Sequence, residues 1–159
     1  MNLYTLMGRL TPTAVPPTAP SRVLIVRPCC IGDVVMATAA LIALRQAHPN
    51  AHISWLSSAW SQQVVAAHPA LDAVVEVEET VYLPSNVADF RALVQLLRAG
   101  GYDLIVSLVR SPRMSAAAMA AGIPYRAGID SAGRGFGYNI RAPIDPTAAR
   151  HEVDIYLDV

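Results

Sequence analysis

Short β-branched apolar runs alternate with longer helical segments along this chain, and that alternation restricts the fold more than any other feature. Val23-Leu-Ile-Val26 is bounded by turn residues and reads as a buried strand. A helix then opens at Asp33 and runs to about Ala47, with Val34, Val35, Thr38, Leu41 and Ile42 expected on one face. His48-Pro49-Asn50 ends it. His52–Leu56, Ala73–Val77, Leu104–Leu108 and Tyr125–Gly128 read as further strands, and Ser61–Ala67 as a second helix. A loop through Tyr82, Pro84 and Asn86 leads into a helix over Ala88–Ala99, capped by Asn86 and closed by Gly100-Gly101. Ser111-Pro112 starts another helix, cap first and proline at the first helical position, and Gly122 ends it. Gly133–Gly137 reads as a loop, and Ala148–Leu157 as a last helix with Val153, Tyr156 and Leu157 on one side.

Strands of four to six residues separated by helices describe βαβ units, hence an α/β fold with a Rossmann-like parallel sheet flanked by helices. Hydrophobic residues make up 53% of the 159 residues, which suits a sheet buried on both faces. One domain is expected over residues 22–159. Residues 1–21 hold Pro12, Pro16, Pro17 and Pro20 among Thr and Ala, and are expected to form a disordered leader outside the fold.

Composition removes several function classes. Twelve basic residues balance twelve acidic ones, so no nucleic-acid partner is expected. All twelve are Arg; without Lys there is no Walker-type phosphate loop. Cys29 and Cys30 are adjacent and have no third cysteine to pair with, which argues against a secreted disulfide scaffold. No apolar run reaches the ~18–20 residues of a membrane span. A cytoplasmic location is expected, with peripheral contact at the inner face of a membrane left open.

Ligands of open parallel sheets bind beyond the carboxyl ends of the strands. That rule selects Arg27–Asp33, the loop after Leu56, and Val109–Arg113. The first is the most informative. Gly32 permits a tight turn or the close approach of a ligand. Asp33 sits at the expected helix cap, a role worth about 0.5–2 kcal/mol. Only Gly32 is present where a dinucleotide fingerprint needs three glycines. Val35 and Met36 stand where a phosphatase-type cysteine loop would place its Arg.

The segment Arg27-Pro-Cys-Cys-Ile-Gly-Asp-Val-Val35 resembles the opening motif of glycosyltransferase family 9, the heptosyltransferases of lipopolysaccharide assembly. Tyr102–Leu108, Gly122–Arg134 and His151–Leu157 resemble later segments of that family in the same order, so the resemblance covers about residues 22–158. It implies the N-terminal half of a GT-B fold, which binds the acceptor, with the C-terminal nucleotide-sugar domain absent from this sequence. The implied chemistry is inverting and metal-independent, with no cofactor beyond a nucleotide-sugar donor as co-substrate. The acceptor is a glycolipid or oligosaccharide. The family's catalytic base corresponds to Asp33, with Gly32 beside it. A helix N-terminus favours the ionised carboxylate and weakens it as a base, which closure of a second domain would offset by desolvation. The sequence departs from the family where Val109-Arg110 replaces a Gln-Gly pair.

Arg27, Arg110 and Arg113 are candidates for holding phosphates or acidic sugars of an acceptor, with solvated loop arginines as the alternative. Arg134 reads as a solvated loop residue. His48 and His52 are separated by Pro49 and make no metal site. Trp55 and Trp60 are expected in the core. Two readings of the whole chain follow: the acceptor-binding half of a glycosyltransferase, inactive by itself, or a non-catalytic Rossmann-like binding module.

Overall fold

The computed structural model describes residues 3–82, 86–145 and 147–159. Six strands form one sheet in the order β3-β2-β1-β4-β5-β6, every pair parallel: β1 (Arg22–Val26), β2 (His52–Ser57), β3 (Ala73–Glu76), β4 (Leu104–Ser107), β5 (Tyr125–Ser131) and β6 (Ile140–Ile144). The order reverses between β1 and β4, which opens a crevice at the carboxyl ends of those two strands.

Successive side chains of a strand point to opposite faces, so β1 feeds two cores. Val23 and Ile25 pack with Val34, Ala37 and Leu41 of α2 (Ile31–Ala47) and with Ile155 and Tyr156 of α6 (Glu152–Leu157). Leu24 and Val26 pack with Leu93 and Leu97 of α4 (Val87–Ala99) and with Met114 and Ala117 of α5 (Pro112–Ala120). The Rossmann-like α/β expectation is met. Asn86 and Ser111 cap α4 and α5 as their sequences predict, each accepting from a backbone N–H three residues on.

Several elements differ from the sequence reading. α2 buries Val34, Ala37, Ala40 and Leu41, while Val35 and Ile42 face out. The helix is apolar on nearly all sides, so periodicity does not select a face and close packing favours the small alanines. Ser61–Ala67 yields only a single 3-10 turn at Gln62–Val64. A short helix, α3 (Glu79–Tyr82), occupies the start of the expected loop, whose Pro84 lies outside the described residues. The last helix is shorter than predicted and buries Ile155 and Tyr156, not Leu157.

β6 has no counterpart in the sequence reading, because Arg141 and Pro143 interrupt its apolar pattern. It lies at the sheet edge, where a proline forfeits no central ladder bond. The crossover from β5 is only residues 132–139. It is held by Tyr138, whose hydroxyl bonds Ser107 Oγ at 2.7 Å and whose ring fills the space a Cβ on Gly128 would need.

The leader also departs from expectation. Leu3–Leu10 forms a helix, α1, and Tyr4 stacks on Phe136 with 5.8 Å between ring centroids. Arg141 donates to the carbonyls of Gly8 and Thr11, and Ala14 N–H donates to Asn139 O. Prolines dominate only after residue 11, which leaves the first turns free to form a helix.

Candidate functional site

The turn after β1 is gripped from its neighbour. Trp55 Nε1 donates to Arg27 O at 3.1 Å, and Pro28 O accepts from both Ser58 N–H and Ser61 Oγ, each at 2.8 Å. The loop after β2 therefore faces inward and holds the turn. The chain enters α2 through Cys30, which has φ 70° and ψ 96° and makes no side-chain cap. Cys30, not Gly32, carries the left-handed backbone here. α2 begins at Ile31, so Asp33 is its third residue and not its cap.

The Asp33 carboxylate instead pairs with Arg27 Nη2. Arg27 is a strand-end side chain only 12% exposed, against 29% for Asp33. Its other amino group bonds Leu108 O at 3.2 Å, across the crevice, and its guanidinium lies 5.7 Å from the Tyr156 ring centroid. Arg27 thus ties β1, the β4 exit, α2 and α6 together. Its Nε is buried without a hydrogen-bond partner. The Arg27 guanidinium and the N-terminus of α2 thus place positive charge on two sides of the Asp33 carboxylate.

On the opposite wall, Arg110 Nη2 bonds Glu152 Oε1 at 2.6 Å. Glu152 Oε2 and the Tyr156 hydroxyl are buried facing each other, short of a well-formed hydrogen bond. Burial pushes the Tyr156 phenol above its ordinary value, Arg27 pulls the other way, and Glu152 adds to the rise. Gly32 has nothing within 4 Å of where a Cβ would stand, so packing does not require a glycine there. The surface beside Asp33 is open for that reason. Arg113 is exposed and lines a cavity of about 440 Å³ with Tyr4, Phe90, Ser111 and Phe136.

No protein-family model matches the chain. Lipopolysaccharide heptosyltransferase 2 of Escherichia coli is 28% identical over 112 residues, which is 67% of this chain and 30% of that protein. A glycosyltransferase family 9 structure from Veillonella parvula superposes with a TM-score of 0.71 at 24% identity, covering 87% of this chain and 39% of that one. The E. coli ADP-heptose lipopolysaccharide heptosyltransferase II gives 0.71 at 24%, covering 86% and 39%. A second E. coli heptosyltransferase, solved with ADP-2-deoxy-2-fluoro heptose, gives 0.69 at 23%, covering 86% and 46%. The chain is similar to the heptosyltransferases of glycosyltransferase family 9. The resemblance carried by Arg27–Val35 is therefore borne out, and the shared fold matches the amino-terminal portions of those GT-B enzymes.

Within this heptosyltransferase-like domain the predicted site residues fall into two groups. Arg27, Gly32, Asp33 and Arg110 come together around the crevice, whereas Arg113 stands apart at the aromatic cavity. Arg27 and Arg110 are engaged with protein partners, and neither is a free cation. Arg134 is exposed, and Trp60 is 59% exposed in place of the expected core position. Sequence reasoning missed Glu152 and Tyr156, which lie more than 110 residues from Asp33 in sequence, and Tyr4, which it assigned to the leader. The one available signal was the His151–Leu157 segment, read as a helix with no part in the site.

Proposed function

We propose that this chain is the acceptor-binding half of an inverting, metal-independent glycosyltransferase that moves a heptose-like sugar from a nucleotide-sugar to a glycolipid or oligosaccharide acceptor. The observation that carries this reading is Asp33: a partly exposed carboxylate at the topological switch point, aimed by a nearly buried Arg27, beside the open surface at Gly32. In the proposed step the acceptor hydroxyl oxygen bonds to the anomeric carbon from the face opposite the leaving group. The anomeric carbon–oxygen bond to the nucleotide diphosphate breaks with its electron pair, and the hydroxyl proton passes to an Asp33 oxygen. A carboxylate held by a guanidinium is a weak base, so the proton moves late, once bonding to carbon has acidified the hydroxyl.

Arg27 is a positioning residue in this scheme. It fixes which Asp33 oxygen stays free. The aromatic cavity next to Arg113 supplies apolar faces for sugar rings and a cation for an acidic or phosphorylated group. Arg110 is held by Glu152 and reaches an acceptor only by exchanging that partner. The proposed location is the cytoplasm, with peripheral contact at the inner membrane face where a lipid-linked acceptor is displayed. No helix of the described residues is long and apolar enough to cross a membrane. These residues by themselves are expected to turn over no sugar, because the donor is bound mainly by a second domain.

The test is Asp33→Asn in a protein that joins this domain to a donor-binding one. Asn is nearly isosteric and tolerates the first helical turn, so the thermal midpoint should hold to within a few degrees. Transfer should fall by about 100-fold or more, the contribution of a positioned general base. Near-normal turnover in the folded variant would remove Asp33 from the chemistry.

A further inference from the structure

The pair Cys29 and Cys30 has no part in the scheme above. Both are free thiols, Cys30 exposed and Cys29 partly so, and their sulfurs lie 2.9 Å apart. We propose that they form a two-thiol capture site for trivalent organoarsenicals at the mouth of the crevice.

Two adjacent free thiols on one turn suit a particular class of ligand. Zinc and similar cations need four ligands, and no group of three or more His, Cys, Asp or Glu side chains is poised to hold a metal among the described residues. Trivalent arsenic bearing one carbon substituent is satisfied by two sulfurs. Condensation of an aryl-arsenic oxide with the pair forms two As–S bonds and breaks the arsenic–oxygen bond. Both thiol protons leave with that oxygen as water, and arsenic stays trivalent, so no oxidant is needed. A direct disulfide between neighbouring residues closes a tight ring through their shared peptide bond. An arsenic atom between the sulfurs enlarges that ring by one atom and relieves it.

The surroundings favour the adduct over oxidation. Burial, then Cys30, raise the Cys29 thiol above its ordinary value, and nearby Tyr82 and Arg27 only partly oppose this. Thiolate-dependent disulfide formation is correspondingly slow at neutral pH. The open surface at Gly32 leaves room for a substituent on arsenic, and Ile31 and Val35, one helical turn apart and both exposed, offer it apolar contact.

The test is titration of the reduced, folded protein with phenylarsine oxide, followed by intact mass. One equivalent should add, with the mass of the oxide less one water. The adduct should survive an excess of 2-mercaptoethanol and be stripped by 2,3-dimercaptopropanol. Cys29→Ser and Cys30→Ser should each bind roughly 100-fold more weakly or worse, because the second sulfur acts intramolecularly. Wild-type protein alkylated at both thiols should not bind at all, which repeats the test without any variant that must fold. No adduct on the wild type, full retention in either serine variant, or release by the monothiol as readily as by the dithiol would each overturn the site.

Discussion

The two edges of the sheet are finished in opposite ways. At the amino edge, side chains close the exposed backbone. Asp103 Oδ2 accepts from Ser21 N–H, Ser21 Oγ and Arg22 N–H at 2.6–2.9 Å. Asp72 Oδ2 accepts from Ile53 N–H and Arg45, and Asn139 bonds Arg126 N–H and Pro124 O. At the carboxyl edge, Arg27 Nε is buried without a partner, Glu152 Oε2 and the Tyr156 hydroxyl meet without a well-formed hydrogen bond, and Cys30 holds a left-handed backbone. Among the described residues only His48 Nδ1, at the far end of α2, shares that unpartnered state. Buried polar groups are ordinarily satisfied, so a concentration of exceptions marks an edge shaped for something other than stability. The amino edge holds the fold, and the carboxyl edge holds polarity in reserve.

Matched truncations test that division most forcefully. Asp103→Ala strips acceptors from three donors and should cost about 2 kcal/mol, given that bonds to a charged acceptor are worth roughly 1.5–3 kcal/mol and this carboxylate is solvent-screened. In a chain of this size that lowers the thermal midpoint by about 4–8 °C. Glu152→Ala removes one half-exposed ion pair and one oxygen that makes no well-formed hydrogen bond, and should cost less than about 1 kcal/mol. Equal losses in thermal or urea melts would erase the contrast between the edges.

The same division has a pH signature of smaller size. The Ser21 hydroxyl, then Arg22 N–H, hold the Asp103 carboxyl below its ordinary value of 3.8. For Asp72 burial pushes upward, and is outweighed by Ile53 N–H and Arg45, so that it too is lowered. A carboxyl depressed in the folded state contributes stability that is fully present above its unfolded value and lost as pH falls through the folded one. Stability should therefore be level above about pH 5 and decline below the ordinary aspartate value near 3.8. Asp103→Asn keeps an acceptor oxygen but removes the titration, so its urea midpoint should fall less steeply between pH 4 and pH 2. An unchanged slope would mean the acid loss arises elsewhere.

The edges also differ in how far sequence could describe them. Asn86 and Ser111 announced their helices because a cap is a local device, a side chain reaching a backbone N–H three residues on. The same local logic misplaced Asp33, because its carboxylate answers to Arg27 six residues back, across a turn whose path depends on Trp55 and Ser61. β6 stayed hidden because its partners are Gly128 and its neighbours on β5, not its own alternation. The family motif at Arg27–Val35 located the crevice, since a motif records three-dimensional requirements that periodicity does not. Glu152 and Tyr156 carry no such mark; only the packing of α6 against α2 brings them to the site.

The smallest effect is the most particular to the carboxyl edge. Cys30 adopts φ 70° and ψ 96°, a region that costs an L-residue roughly 1–2 kcal/mol through contact of its Cβ with the backbone. Cys30→Gly removes that contact and adds back about 0.5–1 kcal/mol of unfolded-chain entropy, so a net gain of about 0.5 kcal/mol is expected. That is a rise of one or two degrees in a thermal melt, at the limit of a careful measurement. A gain means the turn into α2 is held in a conformation its own sequence resists, by the bonds from Trp55, Ser58 and Ser61 to its carbonyls. A loss means that the turn is relaxed and that Cys30 earns its place through contacts. The strain would then have to be struck from the contrast between the edges, leaving only the unpartnered polar atoms to distinguish them.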